Sequence, residues 1–287
     1  MPLTSKGAIL IAKNNKHVDY VKQAVFAANR IKTYLNIPTT IITDSKNYLL
    51  NNFDSTVFDH IIPLKYEAET GNERLFFDGA NTNKTANFKN SGRAKVYDVS
   101  PYDETLLLDT DYIISNNILK NCFTSANDFL IYKDASDLAQ VRNEQEFKYI
   151  SDTGVEFYWA TAVFFRKTPT NKIYFNLVDH IEQEWTHYRR VYQIESSMFR
   201  NDYAFSIAIH IMNGFQQGNF ANAMPGKMWY TTDKDILISI VKDSMTFMVE
   251  KEKSFGNYTA ITSNNQTVHV MNKFSLGRVI DKGFKND

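Results

Sequence analysis

The sequence predicts an α/β fold in which a mostly parallel central sheet is flanked by helices and followed by a mixed C-terminal half. Three observations predict it. Short apolar or β-branched runs alternate with stretches of helical spacing over residues 7–108, the connections are short, and the alternation gives way after Asp111. Strand and helix taking turns in this way implies right-handed crossovers and parallel pairing.

Gly7-Ala8-Ile9-Leu10-Ile11-Ala12 is the short apolar run of a strand buried on both faces. Val18, Val21, Val25, Ala28, Ile31 and Leu35 then recur every three or four residues and form one helix face. Residues 38–43 return to a β-branched strand closed by Asp44-Ser45, residues 58–63 make a weaker third strand, and residues 104–108 a strong fourth. Between Lys65 and Ser91 the pattern lapses among Gly71, Asn72, Gly79, Asn81, Asn83, Asn87 and Asn90. Such a stretch is either a surface excursion or a substrate-facing loop. Beyond Asp111, residues 128–132 and 157–165 read as strands, 171–190 and 202–212 as helices, and 246–249 and 268–271 as short strands. One continuous domain over 1–287 fits this order, with halves at 1–115 and 116–287.

Composition narrows the class. With 43% hydrophobic and 22% charged residues, the chain has ordinary globular usage, which excludes a disordered or low-complexity protein. Thirty-two basic residues cancel thirty-two acidic ones, so no global basic field holds nucleic acid, although a local patch remains compatible with it. The single Cys122 excludes an intramolecular disulfide framework and points to a reducing compartment. Residues 7–12 are too short for a signal peptide core, and no apolar run approaches a membrane span. The expectation is a soluble, cytoplasmic protein.

Chemistry concentrates at Leu106-Leu107-Leu108-Asp109-Thr110-Asp111. Three leucines suit a central strand covered on both faces, and two carboxylates follow at its C-terminal end, where ligands of open α/β sheets bind. With a side-chain period of two, Asp109 and Asp111 project to one side and Thr110 to the other. Neighbouring carboxylates repel unless a cation lies between them, and Mg²⁺ or Mn²⁺ favours such oxygen ligands together with phosphate oxygens. The plain alternative is an acidic turn.

The run from Ser91-Gly92-Arg93-Ala94-Lys95 through Pro101 to Asp109-Thr110-Asp111 resembles the core of GT-A-fold glycosyltransferases, in which a basic helix and a proline turn precede a strand ending in the DxD motif. The flavour is closest to glycogenin-like enzymes and to glycosyltransferases of tailed bacteriophages. The resemblance implies a nucleotide diphosphate sugar donor held through a divalent metal on Asp109 and Asp111. It implies donor-holding cations at Arg93 and Lys95, the alternative for each being a solvated helix face. It implies nucleoside contacts at Ala12, Lys13 and Asp44, the last of which also reads as a helix N-cap. Thr267-Val268-His269-Val270-Met271-Asn272-Lys273 resembles the family's strand with a metal-binding His and a Lys that neutralises the departing diphosphate. On that basis Lys273→Ala lowers turnover without changing the metal requirement. Trp159 and Thr161 fall where the family opens onto the sugar, with the aromatic face against the ring and the hydroxyl on a sugar hydroxyl. Asp202 falls at an acidic helix start near the acceptor, as base or sugar-binding carboxylate, or else as a cap.

The implied activity is metal-dependent transfer of a sugar to a saccharide, a cell-surface polymer or a hydroxymethylated phage DNA base. A nucleotidyltransferase would need a Gly-rich loop after the first strand, and Ala12-Lys13-Asn14-Asn15-Lys16 is not one. A non-catalytic nucleotide-sugar-binding protein would hold the donor without turnover. No P-loop, dinucleotide fingerprint, zinc spacing or nucleophile elbow occurs.

Overall fold

The computed structural model describes residues 5–64, 73–140, 142, 147–152, 154–250 and 256–283; Gly71 and Asn72 of the irregular stretch lie outside these. The first half alternates as expected: β1 (Lys6–Ala12), α1 (Tyr20–Tyr34), β2 (Thr39–Thr43), α2 (Lys46–Asn52) and β3 (His60–Pro63). The α1 helix starts at Tyr20 because Asp19 caps it, its carboxylate accepting from the Lys22 amide at 2.9 Å. Val18, although on the apolar spacing, therefore precedes the helix.

A hairpin of β4 (Glu73–Phe77) and β5 (Asn83–Asn87) occupies the stretch where the sequence pattern lapses. Only Phe76 and Ala86 of these strands are buried, so an alternating apolar signal never forms. The Arg93–Lys95 segment is a 3-10 turn running into the short α3 (Val96–Val99), where a single helix was expected, and β6 (Glu104–Leu108) follows. After β7 (Tyr112–Ile113), β8 (Phe129–Tyr132), β9 (Ala135–Asp137) and β10 (Trp159–Arg166), the expected 171–190 helix is two: α4 (Pro169–Gln183) and α5 (Trp185–Val191). Glu184, at φ −100° and ψ 30°, leaves helical geometry between them. The chain then runs through α6 (Asn201–Met212), β11 (Asn222–Ala223), β12 (Met228–Thr231), β13 (Ile236–Val241), β14 (Ser244–Glu250), β15 (Tyr258–Asn264), β16 (Val268–Val270) and α7 (Lys273–Gly283).

Seven strands form the central sheet in the order β11-β8-β10-β6-β1-β2-β3, with β1 parallel to β2 and β6, and β10 the antiparallel exception. The expected mostly parallel sheet flanked by helices is thus observed. Strand order reverses at β1, whose neighbours β2 and β6 are reached by crossovers in opposite directions. A crevice opens there beyond the carboxyl ends of β1 and β6. A second sheet, β7-β16-β12-β9, sets His269 of β16 opposite Tyr112, the residue that follows Asp111. Among the described residues no helix is long and apolar enough to cross a membrane.

One packing detail fixes the start of β1. The Tyr102 ring lies flat across Gly7, and its hydroxyl pairs with Thr40 Oγ1 of β2 at 2.8 Å. A Cβ on residue 7 would come within 2.3 Å of that ring. Gly7→Ala is expected to cost about 1–3 kcal/mol by overpacking, read as a lower midpoint in denaturant unfolding; an unchanged midpoint would contradict the contact.

Candidate active site

The β6 strand ends at Leu108, and Asp109-Thr110-Asp111 turns sharply into β7, the Tyr112 amide donating to the Asp109 carbonyl at 3.2 Å. Thr110 donates to Gln23 Oε1 of α1 at 3.4 Å, and both carboxylates line one cavity. One ligand atom each from Asp109, Asp111 and His269 lies within 4.8 Å of the others. His269 sits 158 residues beyond Asp111 in sequence, and the β7–β16 pairing closes that gap.

Each aspartate has its own cation. Arg93 Nη1 meets Asp109 Oδ1 at 2.7 Å, and its Nη2 donates to the Ala160 carbonyl at 2.5 Å. The turn presenting Arg93 is held by Gly92, in the left-handed region at φ 74°, whose amide donates to both carboxylate oxygens of Glu182 at 2.8 and 3.0 Å. Lys273, the first residue of α7, places its ammonium on Asp111 Oδ2, and His269 Nε2 lies 3.3 Å from the same oxygen. Burial pushes the Asp109 carboxyl above its ordinary range and Asp111 adds to the rise, against the pull of Arg93. Burial opposes ionisation of Asp111 too, but Lys273 and His269 outweigh it and hold that carboxyl well below the usual range.

The other expected positions divide. Lys13, Trp159, Thr161 and Asp202 line the same cavity as Asp109, Asp111 and His269. Ala12 is fully buried in β1, Lys95 is exposed, and Asp44 pairs with Lys89 at 3.1 Å; none of the three lines it. The cap of α2 is Ser45, one residue after Asp44. Trp159 offers no open face: its ring is 1% exposed and stacks on Tyr230, with His269 against it edge-on. Thr161 Oγ1 lies 3.4 Å from His269 Nδ1, so it orients the imidazole whose Nε2 faces Asp111. Asp202 is in the first turn of α6 and is not its cap, which is Arg200; it accepts from the Ala160 amide and from Arg200, each at 2.9 Å.

Sequence reasoning missed Tyr20, Arg74, Lys89, Arg200 and Asn201, which also line the cavity. Six basic side chains (Lys13, Arg74, Lys89, Arg93, Arg200 and Lys273) face three carboxylates (Asp109, Asp111 and Asp202) there, so a chain of no net charge carries a locally basic pocket. Four buried polar atoms without a protein partner belong to its lining: Tyr20 Oη, Arg93 Nε, Trp159 Nε1 and Asn201 Oδ1. Buried polar groups are rarely left unpaired, so their concentration in one cavity fits a polar ligand. Two carboxylates and an imidazole form a donor set compatible with a divalent cation, and the nitrogen suits Mn²⁺ better than Mg²⁺.

No family model matches the chain, and no curated protein sequence matches it. Among solved structures it is similar to an active-site mutant of LgtC, at 13% identity over 70% of this chain and 69% of that one, with a TM-score of 0.45. It is also similar to the galactosyltransferase LgtC in complex with donor and acceptor sugar analogs, at 13% identity over 71% of this chain and 69% of that one, TM-score 0.43. The glycosyltransferase GlyE of Streptococcus pneumoniae TIGR4 is similar at 12% identity over 70% of this chain and 47% of that one, TM-score 0.40. The chain therefore spans less than half the length of GlyE. The likeness is partial in each case.

Proposed function

We propose that the chain is a metal-dependent glycosyltransferase of GT-A type, moving a sugar from a nucleotide diphosphate sugar to a hydroxyl of a saccharide, a polymer or a hydroxymethylated base. One observation carries the reading: Asp109, Asp111 and His269 converge beyond the carboxyl ends of β1 and β6, inside a cavity rich in basic side chains. Carboxylates beside cations in one pocket suit a ligand that brings both a metal and phosphate. A ligand that brings both offers a cation to the aspartates and an anion to the basic groups that pair with them here.

Asp109, Asp111 and His269 would hold the cation. When bound, it supplies Lewis-acid neutralisation of charge on the departing diphosphate. Arg93 and Lys273, which pair with the aspartates here, would be available to phosphate oxygens with the cation in place. Lys13, the residue after β1, faces the donor, with Ala12 ending β1 and Asp44 following β2 behind it. Trp159 and Thr161 wall the sugar end, and Asp202 faces the sugar or the acceptor.

The test is a screen of nucleotide sugars with Mn²⁺, reading thermal shift and released nucleotide. Mn²⁺-dependent nucleotide release supports transfer, whereas tight binding without release would support the non-catalytic binder. Within that assay, Asp202→Asn is expected to lower turnover about 10²-fold while the Mn²⁺ concentration for half-activity stays unchanged. A raised Mn²⁺ requirement in this variant would move Asp202 into the metal site.

A further inference from the structure

The β4–β5 hairpin carries an arginine that nothing in the metal site accounts for. Arg74 projects from β4 with its guanidinium carbon 5.3 Å from the Phe76 ring centre and 5.1 Å from that of Phe88. Phe88 and Arg74 both line the cavity. The other cations there are engaged: Arg93, Lys273, Arg200 and Lys89 each pair with a carboxylate, and Lys13 donates to the Ser91 carbonyl at 2.8 Å. No carboxylate among the described residues pairs with Arg74. Both rings lie within cation–π reach of the guanidinium, a contact that leaves its N–H groups available to a ligand.

Tyr20 stands beside it. Its buried hydroxyl has no protein partner and lies within electrostatic reach of Asp111, Arg74 and Asp109. Burial raises that phenol and Asp111 raises it further, so it stays a proton donor throughout the physiological range. The hairpin is also fixed to the helix that bears Lys273. Arg278 of α7 grips Asp78 at the hairpin turn through two bonds of 2.6 and 2.8 Å, and Lys84 of β5 lies 5.4 Å over the Phe274 ring.

We propose that the β4–β5 hairpin is an anion clamp: Arg74, gripped by Phe76 and Phe88, binds a phosphate group of the substrate, the Tyr20 hydroxyl donates to the same group, and the Asp78–Arg278 pair keeps Arg74 in register with Lys273. This rests on the glycosyltransferase reading and adds to it a phosphate-positioning residue from a segment whose sequence carries no motif. A guanidinium presents two parallel N–H donors, which match phosphate oxygens in a way that a lysine cannot.

Titration calorimetry on the full chain tests it, with Mn²⁺ alone, then inorganic pyrophosphate with Mn²⁺, then UDP with Mn²⁺. Arg74→Gln is expected to weaken pyrophosphate about tenfold or more while Mn²⁺ binding stays unchanged. Arg74→Lys should recover only part of that loss, Tyr20→Phe should produce a smaller one, and Asp78→Asn should weaken pyrophosphate without altering Mn²⁺. Unchanged pyrophosphate affinity in folded Arg74→Gln would overturn the clamp while leaving the transferase reading intact. Failure of the unaltered chain to bind either pyrophosphate or UDP would overturn both.

Discussion

Asp111→Asn is expected to lower metal-dependent turnover about 10²–10³-fold and at the same time to lower stability. The two losses have different origins. The carboxylate is nearly fully buried, with its side chain 4% exposed, and its Oδ2 meets both Lys273 and His269. An amide there removes a ligand of the proposed metal site and leaves the Lys273 ammonium without its counter-charge in a part-buried setting. Removing one partner of such a pair costs more than removing both, so adding Lys273→Met should restore stability without restoring turnover. Calorimetric unfolding of the two variants, beside nucleotide release, separates the effects; full turnover in Asp111→Asn would remove it from the metal site. The pair also sets an acid limit. Because the folded carboxyl is held below the ordinary range, its stabilisation is fully present above about pH 4 and is lost only as pH falls through the lower folded value.

Much of this site was legible because its chemistry sits at a strand end. Leu106-Leu107-Leu108 announces a doubly covered strand, and a strand of that kind has a carboxyl end at which Asp109 and Asp111 must lie. His269 and Lys273 were legible only through resemblance, because what brings them to Asp111 is the pairing of two short strands far apart in sequence. Trp159 departs from what its residue type suggests. A tryptophan suggests a stacking face, but β10 is covered on both sides and the ring is consumed by Tyr230 and His269. Arg74 and Tyr20 left no trace in the pattern, Arg74 because its strand buries one apolar residue and Tyr20 because it opens a helix whose apolar spacing reports only packing against the sheet. Periodicity reports which residues are inside; it is silent on which half-buried polar groups converge.

His269→Ala and Lys273→Ala are expected to move the metal requirement in opposite directions. On the proposed metal site, removing the imidazole deletes one of three protein donors, so the Mn²⁺ concentration for half-activity should rise about tenfold or more, with partial rescue by excess Mn²⁺. For Lys273 the resemblance implies an unchanged requirement, whereas the contact of its ammonium with the Asp111 oxygen that a cation would use leads to a different expected result. A bound ion and that ammonium compete for one negative charge, so Lys273→Ala should tighten Mn²⁺ binding measured in the absence of nucleotide. The same variant should lower turnover about 10²-fold, since the departing diphosphate loses a positive neighbour. Metal titration by calorimetry and steady-state kinetics on the two variants give the comparison directly. Weaker Mn²⁺ binding in Lys273→Ala would mean that the lysine supports the ion site and does not compete with it, and Asp111 would then need another reason for its depressed carboxyl. The opposing shifts, if found, make Lys273 a resident counter-ion that exchanges Asp111 for phosphate as the metal arrives, and this couples loading of the site to readiness for the leaving group.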